Sequence, residues 1–368
     1  MDKPETFEPV IDPQLPIVDS HHHLYDRAPD VAAAIAGGRR RYLLDELLSD
    51  IESSGHNVVA TVFVDADAMY RADGPPEFRV VGETEFANGQ AAMSASGLYG
   101  PRRIAAGIVG TADCRLGDKV RPVLEAHIAA GGGRFRGIRQ TAAWDSDSSI
   151  FGGMFKNSSG LYHDDVFRRG FSHLAPLGLS FDAFVLAPQL ADVTGLARAF
   201  PATRIILNHV GGPVGVGRYR GHRDEMLATW RRDIKELAQY PNVMVKLGGL
   251  GSFLAGFASY GAQPPAPVSQ LSAEWRPYID ACDEMFGVER CMFESNYPVD
   301  SGSGSYGAIW NVFKQITNAC SADERSALFA KTAAAAYRLE LSEMPLLRAR
   351  ASTPREGGRR NADWVHAT

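Results

Sequence analysis

Residues 18–26 read Val-Asp-Ser-His-His-His-Leu-Tyr-Asp at the end of an apolar run, in a chain that holds only ten histidines. Successive side chains of an extended strand take opposite faces, so His21 and His23 share one face and His22 takes the other. Two residues along a strand span about 6–7 Å, close enough for two imidazoles to share a metal ion or a carboxylate. Asp19 precedes the pair and is expected to steady an imidazole N–H from behind. His209 stands similarly in Ile-Ile-Leu-Asn-His-Val-Gly-Gly-Pro, residues 205–213, where glycines let the backbone turn tightly around a site. In Arg-Cys-Met-Phe-Glu-Ser-Asn-Tyr-Pro-Val-Asp, residues 290–300, the polar Glu294, Ser295 and Asn296 follow directly on an apolar run. A buried carboxylate there requires a partner. Asn296 and Asp300 equally suit the capping of a Tyr297–Pro298 turn.

Four further polar side chains close or occupy apolar runs. Arg139 is suited to bidentate binding of a substrate carboxylate. Lys246, Asp182 and Asp65 could serve a substrate or simply balance one another as ion pairs. Trp144, with Tyr70, Phe151, Phe155, Phe253, Phe257 and Tyr260, lies in long loops. Such residues either line a pocket or pack the loops down.

The elements that must position these residues are legible in the hydropathy pattern. Eight β-type runs are bounded by turn signals: Leu15–His23, Asn57–Val64, Arg103–Val109, Phe135–Gln140, Gly178–Val185, Arg204–Val210, Asn242–Leu247 and Arg290–Ser295. Their near-continuous Val, Ile, Leu and Phe content is that of parallel strands buried on both faces. Helix-period segments alternate with them, which predicts a single (β/α)8 barrel, a TIM barrel with long βα loops. Segments entering strands are short, whereas those leaving them are long and rich in Gly, Ser, Pro and aromatics, as in residues 141–165 and 248–272. That asymmetry places the site at the C-terminal ends of the strands. The expected organisation is an N-terminal tail over 1–14, the barrel over 15–340, and a mobile tail over 341–368 that holds five arginines.

Composition narrows the classes of function. A net charge of −5 with both signs interspersed gives no electrostatic footprint for nucleic acid. No apolar run approaches the ~20 residues that span a bilayer, and residues 1–16 lack the apolar core of a secretory signal. The cysteines Cys114, Cys282, Cys291 and Cys320 show no CxxC spacing. They are expected to be buried free thiols in a cytoplasmic protein.

Taken together, these residues resemble the amidohydrolase superfamily, and within it the amidohydrolase-related hydrolases that include lactonases of 2-pyrone-4,6-dicarboxylate and of sugar lactones. The likeness runs from about Leu15 to Leu339. It rests on D-x-H-x-H-L at Asp19–Leu24, N-H-x-G-x-P at Asn208–Pro213 and S-[DN]-x-P-V at Ser295–Val299, with GIR at the fourth strand and VKLGG at the seventh. The resemblance implies that His21 and His23 are the first-strand histidine pair, His209 the single downstream histidine, and Arg139 an anion-binding residue. Many members carry a metal-bridging lysine on the fourth strand and a histidine on the fifth. This chain has Arg139 and no such histidine, so one divalent ion, Zn2+ on His21, His23 and His209, or a metal-free site is implied rather than a two-metal centre.

The implied activity is hydrolysis of a lactone or other cyclic ester or amide in a small carboxylated metabolite of aromatic catabolism. Catalysis would rest on His21, His23, His209 and Asn296; Arg139, Lys246, Trp144, Asp182 and Glu294 would contact substrate. The alternative is non-oxidative decarboxylation of an aromatic or muconate-type acid, and a third reading is a barrel kept only for binding. The relatives further imply a homo-oligomer acting on a small molecule. The superfamily's usual eighth-strand aspartate is Asn296, which cannot accept a proton as a carboxylate does. If Asn296 merely replaces a lost base, Asn296→Asp should raise the hydrolytic rate.

Overall fold

The computed structural model describes residues 8–27, 39–150 and 157–343. Phe151, Phe155 and the arginine-rich stretch from Pro345 lie outside the described residues. All eight expected strands form, with ends shifted by a few residues: Ile17–His22, Val58–Val64, Arg103–Gly110, Phe135–Arg139, Ser180–Ala183, Ile205–Leu207, Val243–Leu247 and Cys291–Phe293. They pair in chain order and every pairing is parallel. Helices return the chain between strands, as parallel pairing requires. The first, Leu44–Ser54, shows how the sequence builds them. Leu44, Leu47, Leu48 and Ile51 fall on one buried face, and the chain leaves through Gly55 at φ 68°. At its start the Glu46 carboxylate accepts the Leu43 N–H at 2.7 Å.

Strand alternation divides the interior in two. Ile17, Phe181, Ile205, Val243 and Phe293 point outward and pack with the helices. Val18, Val62, Ile206, Met244 and Met292 form the apolar lumen. A step of two residues up the seventh and eighth strands carries the lumen from Met244 and Met292 to Lys246 and Glu294, so an apolar floor lies beneath a polar layer. The last helical segment seals the opposite end. Ala330, Ala333, Ala334, Ala336 and Tyr337 join the lumen cluster, and Arg204, which precedes the sixth strand, donates to Ala336 O at 2.7 Å. A run of alanines permits that close approach.

The first and eighth strands close the barrel through a few specific bonds. His23 N donates to Tyr297 O at 2.9 Å, Asn296 N to His21 O at 2.9 Å, and Ser20 Oγ to Phe293 O at 2.8 Å. Asp19 completes the seam. Its carboxylate accepts Ser295 N at 2.9 Å, Ser295 Oγ at 2.6 Å and Tyr306 OH at 2.9 Å. This differs from the expectation that Asp19 backs an imidazole: strict alternation would put Asp19 and His21 on one face, and the register shift between Asp19 and His22 turns them apart. Burial raises its pKa to about 6, against the pull of those hydrogen bonds.

The N-terminal segment and the cysteines add two smaller findings. Within the N-terminal tail, Ile11 N donates to Asn311 Oδ1 and Lys314 Nζ to Asp12 O, which fastens residues 11–12 to helix Tyr306–Ile316. Cys114, Cys282 and Cys291 are buried free thiols, but Cys320 is half-buried. No helix among the described residues is long and apolar enough to cross a membrane. Replacing Asp19 by Ala leaves several buried donors unpaired along the closing seam. It should lower unfolding stability by about 2–4 kcal/mol in denaturant titrations.

Candidate active site

The histidines converge at the C-terminal end of the lumen, on the seam between the first and eighth strands. The Nε2 atoms of His21 and His23 stand 3.3 Å apart, and the His21 ring centroid is 4.8 Å from those of both His23 and His209. His22 faces away, with Nε2 2.7 Å from Thr61 Oγ1.

Behind the rings, carbonyl and carboxylate oxygens fix which nitrogen is free. Val64 O is 2.9 Å from His23 Nδ1. Glu294 Oε1 is 2.7 Å from His209 Nδ1 and also accepts the His209 backbone N–H at 2.9 Å. Glu294 Oε2 lies 2.9 Å from His21 Nδ1, at ion-pair distance though off the hydrogen-bond direction. His23 and His209 therefore carry their proton on Nδ1 and present an Nε2 lone pair, whereas His21 Nδ1 also faces the Lys246 ammonium, which can only donate, at 3.2 Å. Burial, reinforced by nearby cations, holds His21 and His23 well below the usual histidine pKa and therefore neutral.

The 3.3 Å separation suits either an Nε2–H···Nε2 hydrogen bond or two lone pairs on a shared cation. On a shared ion with Zn–N of about 2.0–2.1 Å, tetrahedral angles bring two nitrogens to about that separation. His21, His209 and Glu294 also offer ligand atoms within 4.8 Å of one another. That His/Glu group fits one divalent ion; with His23 as a ligand in place of Glu294, the carboxylate and the carbonyl would orient the rings from behind.

Two neighbouring glycines make room for this arrangement. A Cβ on Gly249 would lie 2.3 Å from ring atoms of His209, and one on Gly248 would lie 2.4 Å from Glu294 O. His209 and Val210 adopt φ of 56° and 46°, and Asn296 φ of 49°. Such left-handed positions in residues other than glycine concentrate at functional sites.

The remaining expected site residues fall into distinct places. Lys246 and Asp182 have no exposed surface. Lys246 Nζ is 2.7 Å from Asp182 Oδ2 and 3.2 Å from His21 Nδ1. Asp182 is further held by Asn208 Nδ2 at 2.9 Å and by Tyr337 OH at 2.9 and 3.1 Å. They form the floor beneath His21 rather than the substrate-contacting surface anticipated for them. Glu294 also has no exposed surface, and its position behind two rings replaces the substrate contact expected of it.

Arg139 reaches the histidines, with Nη1 3.5 Å from His21 Nε2. Its Nε is bonded to Asp65 Oδ1 at 2.7 Å and its Nη2 to Asp65 O, so the fork that would clamp a carboxylate is already engaged. Trp144 is half-buried, and its backbone N–H donates to Gln189 Oε1 at 2.9 Å.

Asn296 Nδ2 donates to Asp300 Oδ1 at 2.7 Å, and Asp300 Oδ2 accepts Gly251 N at 2.9 Å. The amide is a donor to a buried carboxyl rather than an empty base position. A second carboxylate at 296 would meet Asp300, which argues for a slower rather than a faster Asn296→Asp enzyme.

Sequence reasoning missed Tyr337 and Glu83. Glu83 is fully buried in helix Val81–Ala95 and accepts Ala66 N and Ala68 N at 2.8 and 3.1 Å, which fixes the loop that carries Asp65. A charged residue on an otherwise buried helix face was the available signal for Glu83; nothing local marks Tyr337.

Three substitutions test this geometry. Glu294→Gln should cost about 10²–10⁴-fold in kcat, because an amide can hold His209 in the wrong tautomer. Gly249→Ala should displace the His209 ring and cost at least about 10²-fold in kcat/KM. Asn296→Asp should lower activity and unfolding midpoint alike, each read in the same preparation by steady-state kinetics and thermal melts.

The profile of the family described as Amidohydrolase matches residues 18–339. An uncharacterized protein of Sinorhizobium fredii is 34% identical over 336 residues, 88% of this chain and 98% of that protein. An L-fucono-1,5-lactonase of Burkholderia multivorans is 31% identical over 239 residues, 64% of this chain and 72% of that enzyme. Among solved structures, a Burkholderia multivorans amidohydrolase with bound zinc is 28% identical at a TM-score of 0.66, covering 88% of this chain and 99% of its own. A Pseudomonas putida structure named as a 2-pyrone-4,6-dicarboxylic acid hydrolase shares the fold at 19% identity and a TM-score of 0.57, over 89% of this chain and 99% of its own. With a parallel eight-stranded barrel and a converging histidine cluster already in place, the match across nearly the whole barrel is decisive: the chain is a hydrolase belonging to the amidohydrolase family.

Proposed function

We propose that the protein opens the ring of a small lactone by hydrolysis, with Zn2+ as its resident metal and an uncharged sugar-acid 1,5-lactone as the substrate type. The observation that carries this reading is the Glu294 carboxylate behind His209 and His21, together with the 3.3 Å approach of the His21 and His23 Nε2 atoms. It favours three forward-facing ring nitrogens, from His21, His23 and His209, as the metal ligands. A bound zinc ion would polarise the ester carbonyl and lower the pKa of water toward ~7, which removes the need for a strong protein base at position 296.

The chain's own residues then bind and orient. Glu294 and Val64 O hold the ring protons on Nδ1 so that the Nε2 lone pairs stay available. Arg139 has one nitrogen, Nη1, outside its bonds to Asp65. It is suited to a single charge-assisted bond to a ring or carbonyl oxygen rather than to clamping a carboxylate. This favours a neutral lactone over the carboxylated, aromatic-derived substrate anticipated from the sequence, as does the L-fucono-1,5-lactonase relationship. Water adds across the acyl C–O bond, the ring oxygen leaves as a hydroxyl carrying a proton from that water, and a hydroxy acid results.

The test combines metal analysis with a substrate panel. Protein purified without added metal should contain about one zinc per chain, lose turnover on chelation and recover it with zinc. Acid release from sugar-acid 1,5-lactones should exceed that from 2-pyrone-4,6-dicarboxylate. Undiminished turnover by metal-free protein would overturn the zinc assignment. Carbon dioxide release from aromatic acids, with no lactone opening, would replace lactonase by decarboxylase.

A further inference from the structure

At the end of the barrel opposite the histidines, a cavity of about 520 Å³ is lined by Arg103, Arg134, Arg136 and Arg338 with Leu339 and Glu340. Arg103 begins the third strand, Arg136 lies at the start of the fourth, and Arg338 directly follows the sealing helix. Many described arginines elsewhere meet carboxylates, as Arg41, Arg71, Arg115 and Arg121 do, while others such as Arg27, Arg204 and Arg290 bond backbone oxygens singly rather than as a cluster. Among the described residues, none of the four lining arginines forms an ion pair. Their hydrogen bonds go to neutral oxygens: Arg134 to Asn88 Oδ1, Arg136 to Gly133 O and Phe135 O, Arg103 to Arg102 O, and Arg338 to Arg136 O. Arg136 Nε is buried without a partner.

Four guanidinium groups against the single Glu340 carboxylate leave this concavity with excess positive charge, which an anion would offset. Burial and then the like charge of neighbouring arginines lower the pKa values of Arg136 and Arg338. Planar guanidinium forks match phosphate oxygens. A cavity this size exceeds one phosphate and admits a diphosphate or a small phosphorylated metabolite.

We propose that this basic cavity, on the face opposite the active site, binds a small phosphate-bearing ligand. The experiment is calorimetric titration of full-length protein with pyrophosphate, with citrate as a carboxylate control, together with thermal melts. Saturable binding that weakens with salt and raises the unfolding midpoint is expected. The double variant Arg136→Ala, Arg338→Ala should bind pyrophosphate at least about tenfold more weakly. Its own unfolding midpoint should not fall, since like-charge repulsion is relieved. Absence of binding, equal binding by the double variant, or citrate binding more tightly than pyrophosphate would overturn the proposal. None of these readouts depends on which lactone the active site accepts.

Discussion

The buried carboxylate of Glu294, shared between His209 and His21, is the constraint on which the rest of the site depends. A carboxylate with no exposed surface is tolerated only when its oxygens have partners. Here Oε1 takes the ring and backbone N–H of His209 while Oε2 lies at ion-pair distance from His21, so satisfying Glu294 fixes which nitrogen of His209 looks outward. Gly248 and Gly249 are empty for the same reason, since any side chain there would meet Glu294 or His209. The left-handed backbone of His209 is part of that packing.

The polar layer is balanced in pairs. Lys246 meets Asp182, Arg139 meets Asp65, and Glu294 meets two imidazoles. In the first two of these, cation and anion are close enough for the low-dielectric interior to strengthen the pair. The layer rests on apolar lumen side chains and, through Tyr337, on the last helix. Rigid support of this kind holds ring nitrogens to the tolerance that a metal site or a reacting carbonyl demands.

The closing seam and the active site are the same place. His21, His23, Asn296 and Tyr297 use their backbones to join the first strand to the eighth, while the side chains of His21 and His23 face the cluster. Asp19 and Ser295 sit on the outward side of the seam. Stability of the barrel and geometry of the site are thereby coupled at a few residues.

The sequence by itself determined the barrel and its histidines. Eight apolar runs separated by helix-period segments leave few other ways to bury both faces of each strand, and period-two alternation alone sends His21 and His23 together and His22 away. It also signalled His209, and that Glu294 needed a partner. What only the tertiary structure decided was the pairing: Glu294 with two histidines, Asp19 with Ser295 and Tyr306, Arg139 with Asp65, Lys246 with Asp182, and Asn296 as a donor to Asp300. The physical reason is that alternation sets a side chain's face but not its neighbour. Partners such as His209 and Glu294, 85 residues apart, or Tyr337 and Asp182, 155 apart, meet only once strand register and the sealing helix bring them to one height in the lumen.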